Sequence, residues 1–352
     1  MKPSKLATLL TDKFLHEGNF ELAGSPTTEL TQASARAFGE FSDDAFANLS
    51  VQAVGYAEEG SEEEAVYIYV TKGTKRAFAS LPEEVGDVPI IVENVGKIIV
   101  RPRATISNRG NIFDRAGRVA CGSSCAPSGK DYSGTFGALV MKSADPDSLF
   151  ILSNNHVIAD CNHLSVGMPI MSPSGNDSRP GNPPRMIGAH SEMTELRSGV
   201  PGLVPPCRDD LAIGEVADPN SVSSWQGDAG GFDTPTASKS PAPDMLVKKF
   251  GRTTGLTHGK IQSEVVQTPV RYESENFKAI VWFRQVWVVR SVDSDPFAVG
   301  GDSGSLVVTE DGNHAVGIVF ASNNRGGYVN IMSIDRVLSA FGGLTLVGGH
   351  GV

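Results

Sequence analysis

Gly300-Gly301-Asp302-Ser303-Gly304-Ser305 runs straight into Leu306-Val307-Val308 in a chain of 352 residues. One hydroxyl, Ser303, therefore lies between glycines and just ahead of a short apolar run of the kind that forms a buried strand. A free serine is a poor nucleophile, so the stretch implies chemistry only if the chain also supplies a base and an orienting carboxylate. Taken alone, Gly-Asp-Ser-Gly is equally compatible with an ordinary tight turn.

The texture around this stretch is that of an all-β sandwich or a pair of barrels. From 97 to 331, short apolar runs are broken by Gly, Pro, Asn and Asp, with almost no helical periodicity. Candidate strands include 135–141, 149–152, 210–216, 245–250, 286–289, 305–308, 315–320 and 328–331. The Ser-, Gly-, Asp- and Pro-rich stretch 218–243 reads as a connection between two halves. Upstream, 1–44 reads as a peripheral segment with one amphipathic helix over 28–38. Residues 45–96 give a β-β-α-β order (strands at 51–56, 65–70 and 88–95, a helix at 75–81), hence a small α/β domain. A closing helix is expected over 334–341, followed by a Gly-rich tail, 342–352.

Composition narrows the function classes. The chain is 40% apolar and 20% charged, with a formal net charge of −10 and no Lys/Arg block, so nucleic acid is not an expected partner. No apolar stretch reaches the length of a membrane span or a signal core, and a cytoplasmic location without membrane contact is expected. Four cysteines are too few for a disulfide scaffold. Cys121-x-x-x-Cys125 and Cys161-x-His163, with Cys207 distant, could offer zinc ligands, but the spacing is loose. Free thiols are preferred, and neither metal nor cofactor is expected.

The base for Ser303 should be a histidine. Of seven, His156 stands out because it follows the apolar strand in Phe150-Ile151-Leu152-Ser153-Asn154-Asn155-His156-Val157. The carboxylate candidate is Asp210, which opens the apolar run Leu211-Ala212-Ile213. Each residue has an ordinary structural reading: a histidine at a strand end, an aspartate at a turn. The signal is their joint occurrence in the order His–Asp–Ser, one of the known orders of a hydrolase triad. An α/β-hydrolase elbow is disfavoured, because position 305 is Ser and no strand–helix alternation surrounds it.

The blocks Leu152-Ser153-Asn154-Asn155-His156-Val157, Asp210-Leu211-Ala212-Ile213 and Gly301-Asp302-Ser303-Gly304-Ser305 resemble the catalytic blocks of the chymotrypsin/trypsin-like serine peptidases. The chain is most similar to an intracellular bacterial branch related to the plant narrow-leaf protein. Gly134-Thr135-Phe136-Gly137-Ala138-Leu139-Val140 and Phe250-Gly251-Arg252-Thr253-Thr254-Gly255-Leu256-Thr257-His258-Gly259 also carry that likeness. The resemblance implies a mainly β protein: a double six-stranded antiparallel β-barrel preceded by the small α/β domain. The first barrel, 97–217, would carry His156 and Asp210; the second, with its closing helix, 244–341, would carry Ser303. It further implies a serine endopeptidase acting on protein or peptide substrates through an acyl-enzyme, with the N–H groups of Gly301 and Ser303 as the oxyanion hole.

Two departures from the secreted members matter. Val157 and Val299 stand where those proteins have disulfide cysteines, which fits a reducing compartment. Secreted members also hold the aspartate matching Asp302 with a new N-terminal amine, whereas here that half begins mid-chain. Either the site forms constitutively, with Asp302 held by an internal group, or it is latent. The resemblance puts Phe297 near the base of the substrate pocket, Phe320, Ala321 and Ser322 along the strand that would pair with substrate, and Gly326 and Gly327 at an opening on the opposite wall, with no acid at the base, which implies a non-basic P1 residue. Asp295 or Asp293 would intrude only if the alignment shifts. The competing expectation is a catalytically inactive or latent module that binds peptides or assembles. A homo-oligomer would restrict access to such a site, though no residue specifies one.

Overall fold

In the computed structural model the residues described are 1–17, 50–58, 61–72, 81–100, 110–199, 203–323 and 326–352. The N-terminal part contains α1 (Pro3–Thr11), β1 (Ser50–Ala57), β2 (Ala65–Lys72), β3 (Glu84–Val85), β4 (Val88–Asn94) and β5 (Ile99–Val100). Next come β6 (Asp114–Arg115), β7 (Arg118–Cys121), β8 (Ser124–Pro127), β9 (Gly134–Thr135), β10 (Ala138–Lys142) and β11 (Asp145–Ser153). A one-turn helix, α2 (Asn155–Ile158), precedes β12 (Pro169–Ser172), β13 (Arg185–Met193), β14 (Ala212–Val216), β15 (Val222–Gln226) and β16 (Phe232–Asp233). The last part holds β17 (Leu246–Gly251), β18 (Gly255–Glu273), β19 (Lys278–Ser291), β20 (Leu306–Thr309), β21 (Ala315–Ser322), β22 (Val329–Ser333), α3 (Ile334–Ser339) and β23 (Leu344–Leu346).

The protein is mainly β, and most strands of the described residues fall in two large sheets, of eleven and eight strands. In the second half, β17, β20, β21, β22, β19 and β18 pair in succession, and β17 pairs back onto β18 to close the ring. Closure removes the exposed edges that an open sheet would present. Val247, Ile261, Val289, Val307, Val319 and Ile331 form an apolar cluster among these strands. In the first half the order is β23-β10-β11-β14-β13-β12-β8-β9. β9 runs on through Phe136 and Gly137 into β10, and Gly137 N–H donates to Leu152 O of β11 at 3.1 Å, which joins the β9 end to the other side of the sheet. Leu139, Ile151, Ile170 and Ile187 lie in this core.

The β18–β19 hairpin outgrows its barrel, with pairing from Gly259↔Ser291 to Glu273↔Lys278. Its far half carries β1, registered Val54↔Gln267 and Tyr56↔Glu264. The small N-terminal domain expected upstream is thus joined to the second barrel as one continuous sheet, through β1, β2 and β4. Leu6, Ala7 and Leu10 of α1 are fully buried and cluster with Val54, Val66, Ile68 and Val70. The first residues are therefore core, where a peripheral segment was expected, because one face of a two-turn helix suffices to cover the sheet. The expected helix over 28–38 lies outside the described residues, as does nearly all of that over 75–81.

Two further expectations change. The stretch 218–243, read as a connection, contains β15, paired in parallel with β7, and β16. The Gly-rich tail is anchored: Gly349 N–H donates to Asp233 Oδ2 at 2.6 Å and His350 N–H to Ser224 Oγ at 3.0 Å. Among the described residues no helix is long and apolar enough to cross a membrane.

A buried ion pair joins the two barrels. Arg252, just after β17, donates from Nε to Asp177 Oδ2 at 2.7 Å and from Nη2 to Oδ1 at 2.5 Å. Ser124 Oγ, Ser174 Oγ and Gly110 N–H also donate to Asp177. Burial would raise this carboxyl, but the Arg252, Ser124 and Gly110 hydrogen bonds outweigh it and bring it down to about 2. A carboxylate depressed on folding contributes stability above its unfolded value and loses it as pH falls through the folded one. Between 3.8 and about 2, stability should therefore decline with acidification. In Asp177→Asn that part of the decline should vanish, on a lower baseline because Arg252 loses its partner. Urea unfolding at stepped pH measures both effects.

Candidate active site

Asp210 is 0% exposed, so its carboxylate depends wholly on protein donors. Its Oδ2 lies 2.5 Å from His156 Nδ1, and its Oδ1 accepts the His156 N–H at 3.1 Å. The Asn-Asn pair ahead of His156 explains how this is held. Asn154 Nδ2 donates to Asp210 O at 2.7 Å, and Asn155 Nδ2 donates to Thr194 O at 2.7 Å. Ser153 Oγ donates to Thr135 O at 2.8 Å. The block therefore pins a single helical turn, α2, against β14 and β9. Asp209 faces elsewhere: Arg336 Nε donates to it at 3.1 Å.

Tyr272, near the end of β18, donates from its hydroxyl to Asp210 Oδ2 at 2.7 Å. Its ring meets the His156 imidazole edge-on, centroids 5.9 Å apart. Burial, then the Asp210 charge, raises the phenol far above its ordinary value, so the group is a fixed donor. Nothing in the sequence marked Tyr272 beyond its place in an alternating strand.

Ser303 sits on a loop sewn to the first barrel. Thr135 N–H donates to Ser303 O at 2.9 Å and Thr135 Oγ1 to Gly301 O at 2.9 Å. A Cβ at Gly137 would stand 2.0 Å from Gly304 O, and one at Gly304 would stand 2.4 Å from Ser153 Oγ. Gly304 also has φ +96°, and Gly301 has φ +97° with Thr253 Oγ1 2.4 Å from its would-be Cβ. These glycines are required by the left-handed backbone and by close approach. The loop's N–H groups divide in two. Asp302, Gly304 and Ser305 donate to Val299 O, Val319 O and Asp302 O. Gly301 and Ser303 donate to no described acceptor.

Asp302 is also fully buried. It accepts from Thr253 N–H at 2.8 Å, Thr254 N–H at 3.1 Å, Thr254 Oγ1 at 3.0 Å and Val299 N–H at 2.9 Å. Lys249 Nζ lies 3.9 Å from its Oδ1, both side chains being 0% exposed. Burial lowers the Lys249 pKa while Asp302 opposes that shift. Lys249 also donates to Thr254 Oγ1 and, at 3.1 Å, to Gly255 O. The internal partner of Asp302 thus comes from β17, where Lys249 shares the inward face with Val247.

The structure brings His156 and Asp210 into contact. Ser303 Oγ makes a long contact of 3.5 Å with Phe320 O, and among the described residues it has no hydrogen bond to the imidazole. The expected pocket residues fare unevenly. Phe297 is 0% exposed and packs in the second-barrel core, beneath Lys249 Nζ at 5.8 Å, so its side chain lines no cleft. Phe320 is likewise buried, its ring 5.0 Å from that of Phe283. Ala321 is 3% exposed and Ser322 is half-buried at the end of β21. Gly326 packs on Pro296 and Val299, while a Cβ at Gly327 would meet nothing within 4 Å. All four cysteines are free and buried, and no group of three or more His, Cys, Asp or Glu among the described residues could hold a metal.

No family model matches the sequence, and no curated protein matches it either. Solved structures do. Thermobifida fusca Protease A is 22% identical with a TM-score of 0.43, over 65% of this chain and 100% of that one. A glutamic acid-specific serine protease is 18% identical, also with 0.43, over 65% and 100%. Cellulomonas bogoriensis chymotrypsin is 16% identical with 0.41, over 65% and 97%. Likeness of this degree bears on neither activity nor substrate.

Removing the Lys249 charge should leave Asp302 buried without its counter-ion, which typically costs about 3–5 kcal/mol. Lys249→Met is expected to lower stability by about that amount, and Lys249→Met/Asp302→Asn to recover part of it. Equal stabilities for the single and double variants in urea unfolding would dissociate the two groups.

Proposed function

We propose that the protein is a serine endopeptidase in which Ser303 is the nucleophile, His156 the general base and acid, and Asp210 the orienting carboxylate. The observation that carries this reading is the His156 Nδ1–Asp210 Oδ2 contact of 2.5 Å on a fully buried carboxylate, since it commits the proton to Nδ1 and leaves Nε2 as the acceptor. His156 Nε2 would take the Ser303 proton as Oγ attacks the peptide carbonyl, then return it to the leaving amine. Water, activated the same way, would hydrolyse the acyl-enzyme. Asp210 would stabilise the imidazolium without becoming protonated.

The uncommitted N–H groups of Gly301 and Ser303 support their role as the oxyanion hole. Such a donor contributes about 3 kcal/mol at the transition state. Asp302, held by Lys249 and by the Thr253 and Thr254 N–H groups, supports a loop formed without a new chain terminus. For recognition, the backbone of Ala321 and Ser322 would pair with the substrate strand. The resemblance places no acid at the pocket base, and a Cβ at Gly327 would meet nothing within 4 Å, so a small or apolar P1 residue is favoured. Phe297 is left out of that pocket because its side chain is buried.

A second reading, a peptide-binding module with a latent site, is favoured by one observation: Ser303 Oγ leans toward Phe320 O. Catalytic hydrogen bonds are often loose without substrate, so that geometry does not exclude turnover. A fluorophosphonate probe separates the two. Stoichiometric labelling of Ser303 in the folded wild type, absent in Ser303→Ala, is expected of the enzyme. Asp210→Asn should lower kcat/KM by about four orders of magnitude. Folded wild type that resists the probe under all conditions supports the binding module. With the enzyme established, peptides bearing Ala, Leu or Phe at P1 should be cleaved in preference to Lys or Arg.

A further inference from the structure

The Asp210 carboxylate receives more than orientation from its surroundings. Its Oδ2 takes two donors at once, His156 Nδ1 at 2.5 Å and the Tyr272 hydroxyl at 2.7 Å, while Oδ1 takes the His156 N–H. We propose that Tyr272 is a positioning residue for the His156–Asp210 pair: its hydroxyl fixes the plane of the carboxylate and withdraws charge from the oxygen that faces the imidazole. This inference rests on the peptidase reading for its catalytic meaning, although the effect on the pair does not.

Tyr272 comes from outside the barrel that holds the pair, and its backbone is fixed on both sides. It registers with Ala279 of β19 and, in parallel, with Val100 of β5. Its ring is 1% exposed and packs near Phe277 and Phe283, with centroids at 5.9 Å and 6.3 Å. The hydroxyl therefore cannot follow Asp210 if that side chain rotates. Two donors converging from α2 and β18 leave Oδ2 one orientation.

The electrostatic consequence has a definite sign. A carboxylate that accepts a second hydrogen bond attracts an imidazolium less strongly than one facing it alone. The Tyr272 hydroxyl thus shares the Oδ2 charge that would otherwise face the imidazole alone. The phenol, raised by burial and by the Asp210 charge, stays protonated throughout the imidazole range. The other titratable neighbours do not compete. The Cys161 and Cys207 thiols near Asp210 are raised by burial, and remain neutral in that range. Asp160 is paired with Lys130 at 2.6 Å, and Asp209 with Arg336 at 3.1 Å.

Tyr272→Phe keeps the ring and removes only the hydroxyl. In the full chain, the His156 imidazole titration followed by NMR should move up by about 1 pH unit, the lower end of what a hydrogen bond to a charged group is worth. The acid limb of kcat/KM should move up equally, with kcat about tenfold lower and KM little changed. Phe283→Leu, which loosens packing around Tyr272 but keeps the hydroxyl, should lower stability without moving the midpoint. An unmoved His156 midpoint in Tyr272→Phe, or an equal shift in Phe283→Leu, overturns the proposal. Because the titration needs no turnover, it reads Tyr272 even if the fluorophosphonate probe rejects the enzyme reading.

Discussion

A carboxylate without solvent is tolerated only when donors surround it, and the cost of failure is several kcal/mol. Asp210 is such a group, and the elements around it are placed to meet that demand. Its donors arrive from α2 through both the N–H and the ring of His156, and from β18 through Tyr272. Its own backbone is gripped by Asn154 and, through the N–H, by Met332 Sδ at 3.1 Å. Helix α2, the overgrown hairpin and β22 thus converge on one residue. The extension of β18 beyond its barrel has a local explanation in this demand: without it, Oδ2 would keep one donor.

Asp302 repeats the solution with different parts. Four hydrogen bonds and the Lys249 ammonium surround it, all from β17 and the turn after it or from the loop itself. The same turn supplies Arg252, whose guanidinium crosses to Asp177 in the other barrel and whose N–H donates to Thr135 Oγ1 at 3.1 Å. Thr135 in turn holds Gly301 O and Ser303 O. One short segment, 249–254, therefore fixes both the charge under the Ser303 loop and the seam against which the loop lies. The four cysteines take no part in cross-linking, so the seam is held by polar contacts and close glycine packing.

The sequence discloses what is contiguous and hides what is assembled. His156 and Asp210, which the structure brings into contact, and Ser303 lie in contiguous blocks that carried a signal only jointly, through their order, and the mainly β class followed from strand-length apolar runs. Tyr272 was not readable, because the pattern Val270-Arg271-Tyr272 specifies only which face a side chain takes, and its partner is sixty-two residues away. Phe297 failed for the converse reason. Alignment gave it a place in a pocket, whereas its apolar ring is satisfied by the core and by the Lys249 ammonium. Lys249 carried a faint signal, an inward lysine beside Val247, that had meaning only once Asp302 was known to be buried with it. The join between the N-terminal strands and β18 left no trace, since backbone pairing at a sheet edge is nearly independent of side-chain identity.

Buried backbone N–H groups rarely go unpaired, because each one left without an acceptor forfeits a hydrogen bond it had in water. The Ser303 loop pairs those of Asp302, Gly304 and Ser305 and leaves those of Gly301 and Ser303 without a described acceptor. Gly301 is buried, so water makes a poor substitute there. A turn that only connected β19 to β20 would have no reason to keep two donors open at alternate positions, with left-handed glycines at 301 and 304 and a buried aspartate between. An incoming oxygen that gains negative charge would satisfy both donors together. On the proposed reading, the glycine-rich loop therefore owes its form as much to the direction of these two N–H groups as to the serine hydroxyl.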